Sequence, residues 1–327
     1  MNLEVIKPGL LTTVQDLGRW GWQRYGIVVG GALDPWAARV ANVLVGNAEN
    51  AAVLEIAQSG PDLRFEEDVL VAWCGADYPV LVEGRPVPGD RAVRVAAGEV
   101  LSFGFVRRGL RAWLAVAGGL EVPLVLDSRS TYRRAGLGGH EGRSLAAGDR
   151  LPVGKPARWA VQLLDQLRGR DQRHVSWTVH PAGLGNPPTP PVVRAVRGPE
   201  WDWFSADAQR RFFTTEWRIT KDADRMGARL AGPALDLKEP REMISSAVNA
   251  GIVQVPAGGE PIVLLASRQS VGGYPRIASV ATVDLGCFAQ LREGDPIRFQ
   301  EISLLAAHHL HLVRERHLGM VRAGLVR

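Results

Sequence analysis

The chain has 327 residues, 46% hydrophobic and 22% charged, with 37 glycines, 21 prolines and a formal net charge of +5. That composition excludes a disordered chain and leaves room for two domains, each burying its own core. The charge is mild, Lys7, Lys155, Lys221 and Lys238 are the only lysines, and no basic run interleaves with aromatics, so no nucleic-acid partner is expected.

In chain order, Leu3 to Ile6 is a strand stopped by Pro8-Gly9. Thr12 to Arg19 follows as a polar stretch in which Gln15, Asp16 and Arg19 lie beside Gly18 and Gly21. Two readings apply: an Asp16–Arg19 pair that closes a turn, or Gln15 and Arg19 lining a polar pocket walled by Trp20 and Trp22. The clearest helix starts after Gly30-Gly31. Asp34 caps it, Pro35 fits its first position, Trp36, Ala37, Val40, Ala41, Leu44 and Val45 recur at helical spacing, and Gly46 ends it. Capping ranks above anion binding there, because Asp34 repels an anion.

Short strands are predicted at Val53–Ile56, Asp62–Phe65, Val69–Cys74, Pro79–Val82, Ala92–Val95, Val100–Val106 and Leu110–Ala117. Even spacing with turn signals such as Pro88-Gly-Asp90 points to an antiparallel barrel or sandwich. Ser128-Arg129-Ser130-Thr131 and the glycine-dense Gly136 to Arg143 follow, the latter read as a mobile or ligand-facing loop.

The domain expectation is 1–155 for a first β domain, 156–190 for a linker with a helix at Ala157–Leu167 and the proline-rich Pro187 to Pro191, and 191–327 for a second. The second block carries strands at Val192–Pro199, Trp217–Thr220, Ala228–Leu230, Ile277–Val283 and Pro296–Phe299, a helix opened by Ser205, and a tail helix from Ser303 to Leu318. Its centre is a hairpin. Ile252–Val255 and Pro261–Ala266 flank a Pro-Ala-Gly-Gly-Glu-Pro turn, and the second run opens into Ser267-Arg268-Gln269-Ser270-Val-Gly272-Gly273-Tyr274-Pro275. A buried strand delivering a polar, glycine-containing loop is a common way to present a small-molecule site. Arg268, Gln269, Ser270 and Tyr274 supply donors for a carboxylate or amide. A plain hairpin connection is the alternative.

Self-contained catalytic devices are missing from the sequence. It has no phosphate-binding loop, no Gly-x-Ser-x-Gly elbow and no His-Glu-x-x-His. Of His308, His309 and His311 on the tail helix, two lie three apart and could ligate a surface metal, but no third ligand is near them in sequence, so no metal is expected. Cys74 and Cys287 sit in apolar contexts and read as reduced core residues. No apolar run approaches the roughly 20 residues that span a bilayer, and Met1 to Lys7 does not read as a leader. A cytoplasmic protein without membrane contact is expected.

Taken as a set, Thr13-Val-Gln-Asp-Leu-Gly-Arg19, Gly31-Ala-Leu-Asp34, Asn42 to Asn47, Leu114 to Gly119, Ser128 to Thr131, Arg225-Met-Gly227, Ile252 to Pro256, Glu260 to Val263 and Gly272-Gly-Tyr-Pro275 resemble the allophanate-hydrolase-subunit-2 family, also called the biotin-dependent carboxyltransferase family. The resemblance implies a mainly β fold of two tandem cyclophilin-like β-barrels with a few short helices, consistent with weak internal echoes between the two halves. It implies a hydrolase subunit that opens the lactam of 5-oxo-L-proline to L-glutamate with partner subunits A and B, the direct partner resembling a kinase inhibitor. The alternatives are the carboxyltransferase part of a biotin-dependent, urea-type carboxylase, and a non-catalytic regulator. Mg-ATP is expected only at the level of the complex, with no cofactor on this chain. Gln269, Tyr274, Gly272 and Gly273 are the candidate catalytic group, the glycines as backbone oxyanion donors. Gln15, Asp16, Arg19, Arg129, Ser130, Thr131, Arg268 and Ser270 are the candidate substrate-binding group. The sequence departs from the family pattern at Ser267, where relatives often carry an acid, at Ser246, where an acid or histidine is frequent, and at Ser270, where relatives often carry threonine. An acid/base role is therefore not carried onto these serines.

Overall fold

The computed structural model describes residues 1–179 and 190–325. They fall into two compact units: one holds 1–19, 30–179 and 318–325, the other 20–29 and 190–317. Of the expected linker, Arg158–Gly169 is helix, and residues 180–189 with the first of its prolines lie outside the described residues.

The first unit is built from two antiparallel sheets. The six-stranded one runs in the order Arg150–Pro152, Asn2–Lys7, Asp62–Phe65, Val100–Phe103, Val80–Val82 and Arg85–Pro86. The five-stranded one runs Leu11–Gln15, Val53–Ala57, Arg108–Val116, Val69–Asp77 and Val93–Val95. Every predicted strand is present. Leu11–Gln15, which reads in the sequence as no more than a polar stretch, is also a strand and pairs Thr13 with Glu55. The hydroxyls of Thr12 and Thr13 and the side-chain NH2 of Gln15 are hydrogen-bonded inside the fold, which hides the strand from a hydrophobic pattern. The helix Pro35–Leu44 packs on the strands Arg108–Val116 and Val69–Asp77. The Asp34 carboxylate accepts the N–H groups of Trp36 at 3.0 Å and Ala37 at 3.1 Å, the expected cap.

The second unit is a closed seven-stranded barrel, in the order Val192–Arg197, Arg276–Val280, Ile252–Gln254, Ile262–Leu264, Gly227–Ala231, Glu216–Ile219 and Pro296–Glu301. One parallel pair closes it, with Val192 opposite Arg298. Closure leaves no open edge in that sheet. The central hairpin forms as predicted, with Val253 opposite Val263. Phe212 of the helix Ala206–Thr214 stacks on Phe299 with ring centroids 4.5 Å apart, which fixes that helix on the barrel. A separate two-stranded ribbon pairs Ser246 with Gly272 and Ala247 with Val271. The mainly β expectation is met. The tail helix is longer than expected, running Leu304–Leu325.

Candidate functional site

Each unit contains one cluster built from the candidate residues. In the first unit the strand Leu11–Gln15 delivers Gln15, Asp16 and Arg19 against the segment Ser128–Thr131. The Asp16 carboxylate does not form the expected pair with Arg19. It accepts the Gly18 N–H at 2.8 Å, the Ser128 hydroxyl at 2.7 Å and the Arg129 N–H at 2.6 Å, so its partners are two backbone N–H groups and one hydroxyl. Arg19 is fully buried; its Nε donates to the Val125 carbonyl at 3.3 Å and its Nη2 to the Ser130 carbonyl at 2.5 Å. Burial pushes its guanidinium below the ordinary value, and the nearby Asp16 charge opposes this. Gln15, 1% exposed, donates to the Thr13 hydroxyl at 3.0 Å and the Thr131 carbonyl at 3.3 Å. Thr131 returns its hydroxyl to the Val14 carbonyl at 2.9 Å, and the hydroxyls of Ser128 and Ser130 meet at 2.9 Å.

Two buried polar atoms in this cluster, Gln15 Oε1 and Arg19 Nη1, have no partner among the described residues. Among the six first-unit candidates only Arg129 keeps partial exposure, with its Nε on the Val122 carbonyl at 2.9 Å. The cluster is therefore a polar scaffold that sets the course of Ser128–Thr131, with Arg129 as its outward group. Trp20 does not wall it in as a buried ring; it is 60% exposed.

The loop Gly136 to Arg143, expected to be mobile or ligand-facing, is packed instead. Gly138, Gly139 and Gly142 are buried, because side chains there would strike the Ser130 carbonyl, the Thr131 hydroxyl and the Gly136 backbone. The glycines serve close packing against the scaffold segment. Asp149 anchors the loop end by accepting both Arg143 Nη atoms, at 2.7 and 2.8 Å.

In the second unit the strands Ile252–Gln254 and Ile262–Leu264 carry the loop Ser267 to Pro275. Gln269 and Ser270 are half-buried, Tyr274 is 49% exposed, and Arg268 is buried. Arg268 donates Nε to the Val248 carbonyl at 3.3 Å and Nη1 to the Leu265 carbonyl at 3.5 Å; burial lowers its pKa. It is thus a brace beneath the loop. The space beside each glycine of the pair is already filled from within: a side chain at Gly272 would collide with the amide of Gln254, and one at Gly273 would lie 3.1 Å from the Ser245 hydroxyl. Close packing under the loop accounts for both glycines.

Gln254 is the residue that sequence reasoning missed. It is 1% exposed; its Nε2 donates to the Tyr274 carbonyl at 3.4 Å, and its Oε1 accepts from Gln269 Nε2 at 3.4 Å. An amide among apolar strand neighbours, Ile252-Val-Gln-Val255, was the available signal. The loop's far end is held by Glu200, whose carboxylate accepts the Arg276 N–H at 3.0 Å, Nε at 2.7 Å and Nη2 at 2.6 Å. Chemically, the second cluster presents a half-buried amide, an exposed phenol and the half-buried Ser270 hydroxyl on a braced loop, suited to a neutral polar ligand group.

This fold, with a polar cluster in each unit, is that of a carboxyltransferase-type domain. Residues 25–301 match the family described as carboxyltransferase domain, subdomain A and B, and the chain belongs to that family. It is 37% identical to the 5-oxoprolinase C subunit of Haemophilus influenzae over 98% of this chain and 97% of that one. Against the 5-oxoprolinase C subunit of Escherichia coli the identity is 39%, over 92% of each. The crystal structure of the K. lactis urea amidolyase superposes with a TM-score of 0.86 at 28% identity, covering 98% of this chain and 20% of that much longer one.

Proposed function

We propose that this chain is the C-type subunit of an ATP-dependent 5-oxoprolinase, acting with companion subunits A and B to open 5-oxo-L-proline to L-glutamate. The observation that carries the reading is identity of 37% and 39%, over nearly full length, to two proteins of that name. A lactam is stabilised by amide resonance, so opening it needs its carbonyl polarised and water delivered. On this chain the Gln269–Tyr274 loop is the group that meets the amide. Gly272 keeps the loop backbone close to Gln254 of the barrel wall, and Gly273 keeps it close to Ser245. Mg-ATP belongs to the assembled complex, because the sequence offers no glycine-rich phosphate cradle. The companion chain that docks directly resembles a kinase inhibitor, and the complex works in the cytoplasm.

The test is to purify the chain with both companions and follow ATP hydrolysis and glutamate release on adding 5-oxoproline. Turnover that needs all three chains supports the reading; none with all three present removes it. A second reading, the carboxyltransferase component of a urea-type biotin-dependent carboxylase, is favoured by the likeness to the K. lactis urea amidolyase. Retention on a biotinylated carrier protein, with carboxyl transfer to urea, would select it instead.

A further inference from the structure

The hydrogen bonds under the second-unit loop have a direction set by one atom. The Tyr274 carbonyl oxygen can only accept, so the Gln254 side chain must turn its NH2 toward it, 3.4 Å away. That places Gln254 Oε1, also only an acceptor, toward Gln269, which must in turn offer its own NH2, again at 3.4 Å. Flipping either amide would set oxygen against oxygen. Gln254 is 1% exposed, and Gly272 lies against its amide with no room for a side chain, so neither solvent nor sideways movement relaxes the arrangement. Gln269 is half-buried and reachable, and its Oε1 has no hydrogen-bond partner among the described residues.

We propose that Gln254 is a positioning residue that fixes the amide of Gln269 with its oxygen outward, and that this oxygen accepts the N–H of a cyclic amide or urea-type substrate. The inference rests on the reading above that this loop meets the substrate. Its content is the residue that orients the loop amide and the atom that reads the substrate N–H. A lactam carries N–H and C=O on the same side of its ring, so its N–H meets the Gln269 oxygen while the second Nε2 hydrogen stays available to its carbonyl. A lactone of the same shape turns an oxygen lone pair to that site and is rejected.

The experiment uses the three-chain complex and the release of labelled glutamate from labelled 5-oxoproline. Unlabelled 5-oxoproline and the isosteric lactone, 5-oxotetrahydrofuran-2-carboxylate, are the competitors. In the unmodified complex the lactone should compete at least about tenfold more weakly, the scale of one neutral hydrogen bond exchanged for an acceptor clash. Gln269→Met should raise KM for the lactam and bring the two competitors to near parity. Gln254→Leu should also remove the discrimination while the thermal midpoint shows the chain folded. Gln254→Glu should regain it only when its carboxyl is protonated, since the acid O–H can donate to the Tyr274 carbonyl while its C=O accepts from Gln269. Equal competition in the unmodified complex overturns the inference. So does a Gln269→Met complex with raised KM but unchanged discrimination, which leaves the reading of the loop standing. A Gln269→Met complex indistinguishable from the unmodified one removes both, because the loop then does not touch the substrate.

Discussion

Leu126 and Asp127 adopt left-handed backbone, with φ of 53° and 60°, in the two-residue turn that pairs Val125 with Ser128. Such a turn favours Asn and Gly, and a Cβ there costs on the order of 1 kcal/mol. The surroundings enforce it: Arg19 holds the Val125 carbonyl from inside, and Asp16 holds Ser128 and the Arg129 N–H from the other end. Leu126→Asn is therefore expected to stabilise the chain by about 1 kcal/mol, read as a thermal midpoint roughly 2–4 °C higher. An unchanged or lower midpoint would mean that Leu126 packing outweighs the strain. Arg19→Lys should act in the opposite sense. A single ammonium cannot span the Val125 and Ser130 carbonyls, and the one left bare is buried, so urea unfolding should register a loss of about 2–3 kcal/mol. Asp16 and Arg19 lie in one buried cluster, though not as the pair that their spacing in the sequence suggests. The sequence could not reveal that each serves backbone groups more than a hundred residues away, since such partners depend on tertiary register.

At the level of elements, the ribbon and the barrel wall meet at Gly272. Its φ is not left-handed, so the constraint is steric: an added Cβ meets the Gln254 amide. Gly272→Ala should displace Gln254, cost about 1–3 kcal/mol as overpacking does, and disturb Gln269 with it. Gly258→Ala is the control, because nothing lies within 4 Å of the added atom. Similar urea midpoints for the two variants would show the Gln254 contact to be soft. The same hairpin also illustrates what the sequence made legible. Its two strands, its turn and the Asp34-capped helix follow from local chemistry, where apolar runs, prolines and a capping carboxylate act within a few residues. The strand Leu11–Gln15 and the packed glycines at 138, 139 and 272 did not follow. Their reasons are contacts with Glu55, Ser130, Thr131 and Gln254, supplied by distant chain segments.

For the whole chain, stability against pH collects several buried or paired carboxylates that lean the same way. Asp149 is held at about 2, first by the Arg143 hydrogen bonds and then by the Ala146 N–H, against a burial effect that raises it. Glu200 is lowered despite a larger burial effect, through Arg276; Asp68 likewise through the Ala97 N–H and Arg94; and Glu99 through Arg173. In the unfolded chain such groups titrate near 4, so the folded form binds fewer protons between the two values. Their stabilisation is complete above about pH 4.5 and is lost progressively as pH falls toward 2. On the alkaline side Cys74, buried and pushed well up by its surroundings, works in reverse: the unfolded thiol ionises near 8.5 while the folded one stays neutral, so stability declines above that point. Calorimetry across pH should thus trace a plateau with two falling flanks. Asp149→Asn isolates one contributor. It should lower the plateau by about 1 kcal/mol, discounted for solvent around the partly exposed Arg143, and make the acid flank shallower between pH 4 and 2. A variant whose plateau drops while its acid flank keeps the original slope would place the Asp149 contribution in packing of the Gly136–Arg143 loop instead of in its charge.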